Sequence, residues 1–561
     1  MAQGQTGARL LVKTLQANGV DRAYCVPGES YLAVLDALVD APEIQLVACR
    51  QEGGAAMMAD ADGKMTGRPG ICMVTRGPGA TNASAGVHIA FQDSTPMILF
   101  IGQVARHQVE REAFQEMDYR RVFGEMAKWV AQIEDPARVP EYVSHAFHTA
   151  MAGRPGPVVL ALPEDMLTEE VSGEVTIPGA AHVVQPHPGA AEMAALKDLL
   201  AGAERPLLIL GGRTWTEEAA ADIRAFAEAC NIPVAAAFRY QDIFANDHRL
   251  YAGDVGIGIN PKLADRVRIS DLVIAAGPRL GEMTTGGYKL FDIPVPKQRL
   301  VHIHPGAEEL GRVYRPVLAI NSGMAGFAKA AKDMGAVTGR WDNWTGGVHD
   351  DYLAWTTPPK IPGDVQMGEI MAWLRDELPP EAVICNGAGN YTAWVHRFYR
   401  YRGFGSQLAP TSGSMGYGVP AAIAAKLRHP ARDVVAFAGD GCFLMTGQEL
   451  ATAKQYGANV IFIVVNNGMY GTIRMHQERE YPRRVSATEL VNPDFAALAR
   501  AYGLTGEVVT ETGQFQAAFE RARKADSPAL IEIRIDAEAI TPSTTLAAIR
   551  TKAEKPGGTA R

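Results

Sequence analysis

The sequence predicts an α/β chain of three doubly wound parallel-sheet domains, and three observations lead there. The chain has 561 residues, too many for one hydrophobic core and enough for about three domains. Short apolar runs that end at glycine alternate with helix-forming segments along its whole length, the pattern of βαβ units. Two aperiodic stretches rich in Pro and Gly, Thr168–Ala191 and Val337–Asp364, interrupt that alternation and read as linkers. The expected divisions are 1–170, 190–335 and 360–545, with 546–561 as a flexible tail.

The elements follow in order. In the first segment "PGICMVTRGPG" and "TPMILFIGQ" read as buried strands. In the second, "RPLLILGG", "IPVAAAF", "DLVIAAGPR" and "RLVHIHP" are strands, and "TEEAAADIRAFAEAC" is the amphipathic helix after the first of them. In the third, "VVAFAG" (Val434–Gly439) is a strand and "GQELATAKQYG" (Gly447–Gly457) a helix closed by glycine. "NVIFIVVNN" (Asn459–Asn467) is the next strand. Strands joined by a helix are parallel, so their C-terminal ends share one sheet edge. Asp440 and Asn467 therefore meet at the edge where open parallel sheets bind ligands. A carboxylate, an amide oxygen and a backbone carbonyl are hard ligands suited to Mg²⁺, which also takes phosphate oxygens. Small residues such as Gly441 let backbone N–H groups approach a phosphate.

Composition bounds the rest. Hydrophobic content of 47% and charged content of 21% are those of a globular enzyme. A formal charge of −8 argues against a nucleic-acid-binding surface. The six cysteines (Cys25, Cys49, Cys72, Cys230, Cys385 and Cys442) are scattered and form no CxxC pair, so reduced thiols in a cytoplasmic protein are expected. The N-terminus lacks a signal-peptide pattern and no apolar run is long enough to span a bilayer, so no membrane association is expected.

The Gly-Asp-Gly sequence at 439–441, followed after this interval by Asn466-Asn467, resembles the thiamine diphosphate (ThDP) signature. The resemblance extends to Arg50–Val104, Ala113–Asp118, Gly153–Met166, Gly413–Ala425 and Asn492–Gly503, in the order found in acetolactate synthase large-subunit-like ThDP enzymes. It implies a pyrimidine-binding, a central and a diphosphate-binding domain, and it assigns roles. Glu52, in "CRQEGGAA", matches the glutamate whose carboxyl bonds N1′ of the aminopyrimidine, so that the cofactor's own 4′-imino group can deprotonate C2. Asp440, Asn467 and the backbone carbonyl of Met469 match the Mg²⁺ ligands. Gly439, Gly441, Cys442 and Gly468 would lie at the diphosphate, with the loop carrying Asn390 and Tyr391 as a second contact, although the family often has Gln-His there. Gly413 would accept the 4′-amino group, and Met415 would be the apolar wedge that bends the cofactor. Gln115 and Phe114 match residues near the thiazolium and the substrate, and Pro27 and Gly28 a loop beside the pyrimidine. Glu52 and Asp440 lie in different domains, which in this family come from different subunits. A homodimer is the implied minimum unit, and a homotetramer is common.

Departures cluster around the substrate. Glu29 stands where the family has a second glycine, Arg76 where it has serine before "GPGATN", and His476 where it has a tryptophan. In the central segment only Arg279 survives of two flavin-associated arginines, Met283 replacing the other, so FAD, an ADP-like ligand and an empty domain all stay open. The implied reaction is decarboxylation of a 2-keto acid such as pyruvate and attack of the resulting enamine on a second carbonyl. The alternatives are a decarboxylase or lyase of another 2-keto acid or acyl-CoA, a flavin-linked oxidase, and an inactive paralogue acting as a subunit.

Overall fold

The computed structural model describes residues 5–339 and 341–555. These fall into two compact units, one running to Val184 and including Ile423–Arg428, the other comprising Gln185–Ala422 and the chain from His429 onward. No helix among the described residues is long and apolar enough to cross a membrane.

The first unit is built on β1 (Arg22–Cys25), β2 (Gln45–Ala48), β3 (Gly70–Val74), β4 (Met97–Gln103), β5 (Trp129–Gln132) and β6 (Pro157–Pro163). They form one parallel sheet in the order β2-β1-β3-β4-β6-β5. β3, β4 and β6 are buried along their whole length, which is why they read as unbroken apolar runs. Two helices, α1 (Glu52–Thr66) and α2 (Pro78–Asp93), pack on the sheet and on each other. Their approach is so close that a Cβ on Gly86 would lie 2.4 Å from the Cβ of Ala56. Small residues at the crossing thus set the spacing of the two helices.

The second unit holds two parallel sheets. The central one contains β7 (Pro206–Leu210), β8 (Val234–Ala237), β9 (Tyr251–Val255), β10 (Leu272–Ala276), β11 (Arg299–His304) and β12 (Leu318–Asn321), ordered β12-β11-β10-β7-β8-β9. The other contains β13 (Val383–Asn386), β14 (Gln407–Leu408), β15 (Val434–Gly439), β16 (Ile461–Asn466), β17 (Thr505–Val509) and β18 (Ala529–Arg534), ordered β14-β13-β15-β16-β18-β17. Renumbered from its first strand, the last sheet repeats the order of the first unit's sheet. In both, the winding reverses between the first and third strands, and a crevice is expected beyond those strand ends.

Two expectations need correction. The stretch Val337–Asp364 is no simple linker: Asp342–Trp355 is a helix packed on the central sheet. Trp344 donates its indole N–H to Pro206 O, and Trp341 its own to Cys230 O. Aromatic anchors outweigh the glycines that made this segment read as irregular. Nor is 546–561 wholly a tail. Well beyond α3 (Gly471–Glu480) in the chain lies the helix α4 (Leu546–Ala553), capped by the Thr545 side chain at Ala548 N. Residues 556–561 lie outside the described residues.

α4 is fastened to α3 by charge. Glu478, buried in α3, accepts a bidentate pair from Arg550 (2.8 and 2.9 Å) and a further bond from Arg474 (2.9 Å). The Arg550 guanidinium holds the Glu478 carboxyl down at about 2. A depressed carboxyl contributes stability above its unfolded value, and that contribution is lost as pH falls through the folded one. Glu478→Gln is therefore expected to cost roughly 3 kcal/mol at neutral pH, as a buried pair loses one partner. The gap in Tm between variant and wild type should close between about pH 4.5 and pH 2.

Candidate functional site

In the last sheet, β13 and β15 are parallel neighbours, and the winding reverses between them. A cavity of about 260 Å³ opens beyond their ends. It is lined by Asn390, Tyr391, Gly413, Met415, Gly439, Asp440, Gly441, Cys442, Asn467 and Met469. The structure thus brings together every candidate from this part of the chain except His476 and Gly468. His476 is exposed on α3, with its Nδ1 3.5 Å from Arg479. Gly468 does not line the cavity, and its N–H is bound to Asn466 Oδ1 at 3.1 Å.

The register explains the convergence. Gly439 pairs with Val465 across β15 and β16, so Asp440 and the residues after Asn466 leave the sheet side by side. Asp440 is 2% exposed. Its Oδ1 accepts from Gly441 N–H (2.8 Å) and its Oδ2 from the Asn492 amide (2.8 Å). Burial pushes its carboxyl above the ordinary value, and those two hydrogen bonds offset only part of that. No Lys, Arg or His among the described residues pairs with it. Nor does any cluster of three or more His, Cys, Asp and Glu among them form a metal site. A buried carboxylate flanked by amide and carbonyl oxygens, with no protein cation, fits a hard divalent ion.

The walls are held by specific contacts. Tyr391 is buried, and its hydroxyl accepts from Gly387 N–H at 2.9 Å. Asn390 accepts from Thr472 of α3 at 2.9 Å. The Gly413–Met415 turn, with Gly413 at φ +70°, is anchored just beyond it: Thr446 donates to Gly416 O (2.6 Å) and Gly416 N–H to Cys442 Sγ (3.2 Å). The Gly441 N–H, expected to face a phosphate, is bound to Asp440.

The remaining candidates lie in the first unit, at the crevice of its own sheet. Glu52 is the first residue of α1, beyond the end of β2, with Gln51 as N-cap. Its Oε2 accepts from Asn82 Nδ2 of α2 at 2.9 Å. Glu52 and Asn82 each sit one turn before the Ala56–Gly86 crossing, so the tight helix packing sets this contact. Gly28, beyond β1, approaches the end of β3 so closely that a Cβ would fall 2.5 Å from Thr75 Cβ; Pro27 before it is exposed. Arg76 is 8% exposed. It donates to Phe114 O (3.2 Å) and Glu164 (2.9 Å), and Glu29 stands 3.7 Å from it. It thus holds the loop that carries Phe114, 72% exposed, and Gln115, whose φ is +65°. Gly77 makes room for that loop, since a Cβ there would meet Gln115 Cβ at 2.8 Å. Of the three departures, only Arg76 is buried; Glu29 and His476 face solvent.

Asn82, Asn466 and Asn492 were given no role by sequence reasoning. All three lie in or beside quoted motifs, yet an asparagine that supports another side chain leaves no mark in spacing or hydropathy.

Residues 5–122 match the N-terminal TPP binding domain of thiamine pyrophosphate enzymes, 193–330 their central domain and 387–533 their C-terminal TPP binding domain. The chain belongs to the thiamine pyrophosphate enzyme family. It is similar over nearly its whole length to acetolactate synthase large subunits. Identity is 32% with that of Corynebacterium glutamicum, over 95% of this chain and 87% of the relative. It is 33% with that of Parasynechococcus marenigrum (94% and 87%) and 31% with that of Lactococcus lactis (94% and 92%).

Proposed function

We propose that this chain is a ThDP- and Mg²⁺-dependent enzyme that decarboxylates a 2-keto acid, pyruvate in the first instance, and joins the remaining acyl carbon to a second carbonyl compound. The observation that carries the reading is the buried Asp440, with no cationic partner among the described residues, at the mouth of a cavity lined by both halves of the ThDP signature. The names of the relatives supply the acetolactate synthase chemistry. When bound, ThDP would supply a nucleophilic carbon and a sink for the electron pair left behind when CO₂ departs.

The chain's own residues do the rest. Glu52 holds a proton at Oε1 for the pyrimidine ring while Asn82 occupies Oε2. Asp440, Asn467 and the Met469 carbonyl hold the cation that binds the diphosphate. Met415 shapes the cavity, and the Gly413 carbonyl orients the pyrimidine amine. Gln115, with Phe114 beside it, faces the substrate on the loop that Arg76 secures, and Pro27 and Gly28 flank the pyrimidine. Each unit holds half of this machinery, and the family resemblance places the two halves of one site in different subunits, which makes a homodimer the minimum active assembly, with a homotetramer as its next level. The six cysteines are buried and none is in a disulfide, which supports a reduced cytoplasmic setting.

The central domain does not fit a flavin. Arg279 is paired with the buried Glu309 at 3.2 Å, and Met283 stands in the second arginine's place. Beyond β7 and β10 the two chain segments approach so closely that a Cβ on Gly212 would lie 1.8 Å from Gly277 O. No step of the reaction passes through it. Buried Arg76, standing where the family resemblance implies serine, favours a second reading, a simple decarboxylase of another 2-keto acid.

The deciding experiment supplies pyruvate, ThDP and Mg²⁺ and follows CO₂ and the organic product. Acetolactate from a colourless protein supports the proposal. Acetaldehyde alone supports the second reading, and a yellow preparation that consumes oxygen overturns both.

A further inference from the structure

Asn492 reaches the cation site from a third segment of chain. Residues 488–490 run antiparallel beside 468–470: Tyr470 N–H donates to Thr488 O and Leu490 N–H to Gly468 O, each at 2.9 Å. That pairing delivers Asn492 between the two arms of the site. Its Nδ2 donates to Asp440 Oδ2 (2.8 Å) and to Asn466 Oδ1 (3.0 Å). The carboxylate can only accept, which fixes the orientation of the amide. Asn466 is itself held from behind. Its Oδ1 also accepts from Gly468 N–H, and its Nδ2 donates to the buried Glu532 of β18 at 2.8 Å. Asp440, Asn492, Asn466 and Glu532 thus form a continuous hydrogen-bonded relay from the last sheet to the cation carboxylate.

One atom of the relay is unsatisfied. Asn492 Oδ1 is buried and has no hydrogen-bond partner among the described residues. A buried acceptor of this kind is normally paired, and none of the described residues supplies its donor. Mg²⁺ keeps several water ligands, each a strong donor.

We propose that Asn492 is a positioning residue of the cation site: its amide nitrogen fixes Asp440 and the Asn466 arm in mutual register, and its carbonyl oxygen accepts a hydrogen bond from a water on the bound cation. The inference rests on the Mg²⁺ reading above. Groups that orient metal ligands from behind change metal affinity by roughly 10–100-fold when removed.

The test uses the full chain with saturating ThDP and Mn²⁺ as the paramagnetic probe, titrated by electron paramagnetic resonance. Asn492→Ala should bind Mn²⁺ roughly 10–100-fold more weakly while its near-ultraviolet circular dichroism stays native. The relaxation of water protons by the bound Mn²⁺ should change as well, because the ordered water loses its acceptor; a purely structural residue would leave this readout unmoved. Asn492→Ser, a milder change, serves if the alanine variant does not fold. Asp440→Asn separates the two layers of the argument. If it loses Mn²⁺ while both Asn492 variants bind like wild type, the positioning role is wrong and the site stands. If Asp440→Asn itself binds Mn²⁺ like wild type, the cation reading falls and the inference with it.

Discussion

Replacing Glu52 with glutamine is expected to lower kcat by roughly 10²–10⁴-fold, the range for losing a positioned acid–base group, and to leave the fold intact. The geometry explains why the two effects separate. Glutamine keeps the length of the side chain, and its carbonyl oxygen can still accept from Asn82 as Oε2 does now. The Ala56–Gly86 crossing that positions both helices is untouched. What is lost is the ionisable oxygen at Oε1. Stopped-flow turnover and ThDP binding, measured separately, check this: binding should change far less than kcat. A variant that keeps full activity would remove Glu52 from the mechanism.

Removing the divalent cation is expected to have the second large effect, on rate and stability together. With EDTA in place of Mg²⁺, turnover should fall below roughly 1% of its starting value, because the cation neutralises the charge at which the diphosphate binds. The protein with ThDP should also lose Tm. A ligand present at about 100 times its Kd stabilises the folded state by about 2.7 kcal/mol. The origin of that coupling is Asp440, 2% exposed and facing no cationic side chain among the described residues. Asp440→Asn should abolish the dependence of Tm on Mg²⁺. Its cation-free form should be at least as stable as cation-free wild type, since a buried uncompensated charge has been removed. Scanning calorimetry of both proteins with and without Mg²⁺ decides the matter. A wild-type Tm indifferent to EDTA would contradict the account.

Much of this architecture could be read from the chain. Strands β7, β10, β15 and β16 are buried on both faces, so apolar runs mark them directly, the first three ending at glycine. The meeting of Asp440 with the Asn466-Asn467 arm follows from parallel pairing alone. Four things did not follow. The Asp342–Trp355 helix is held by scattered tryptophans that bond to distant backbone carbonyls, and no local period reports that. α4 depends on Arg550 finding Glu478, a contact between residues 72 positions apart. The exposure of His476 depends on which face α3 turns to solvent, and position within a motif does not specify this. Asn82 and Asn492 act through their neighbours, so only coordinates reveal them.

The buried carboxylate of Asp440 also bears on how such a chain drifts. Selection for stability alone would discard it, because almost any small neutral residue is easier to bury. Were the reaction no longer useful, position 440 would be among the first to change, and the change would come with a more robust fold. That this chain retains aspartate there speaks for a lineage still selected for the ligand that satisfies it.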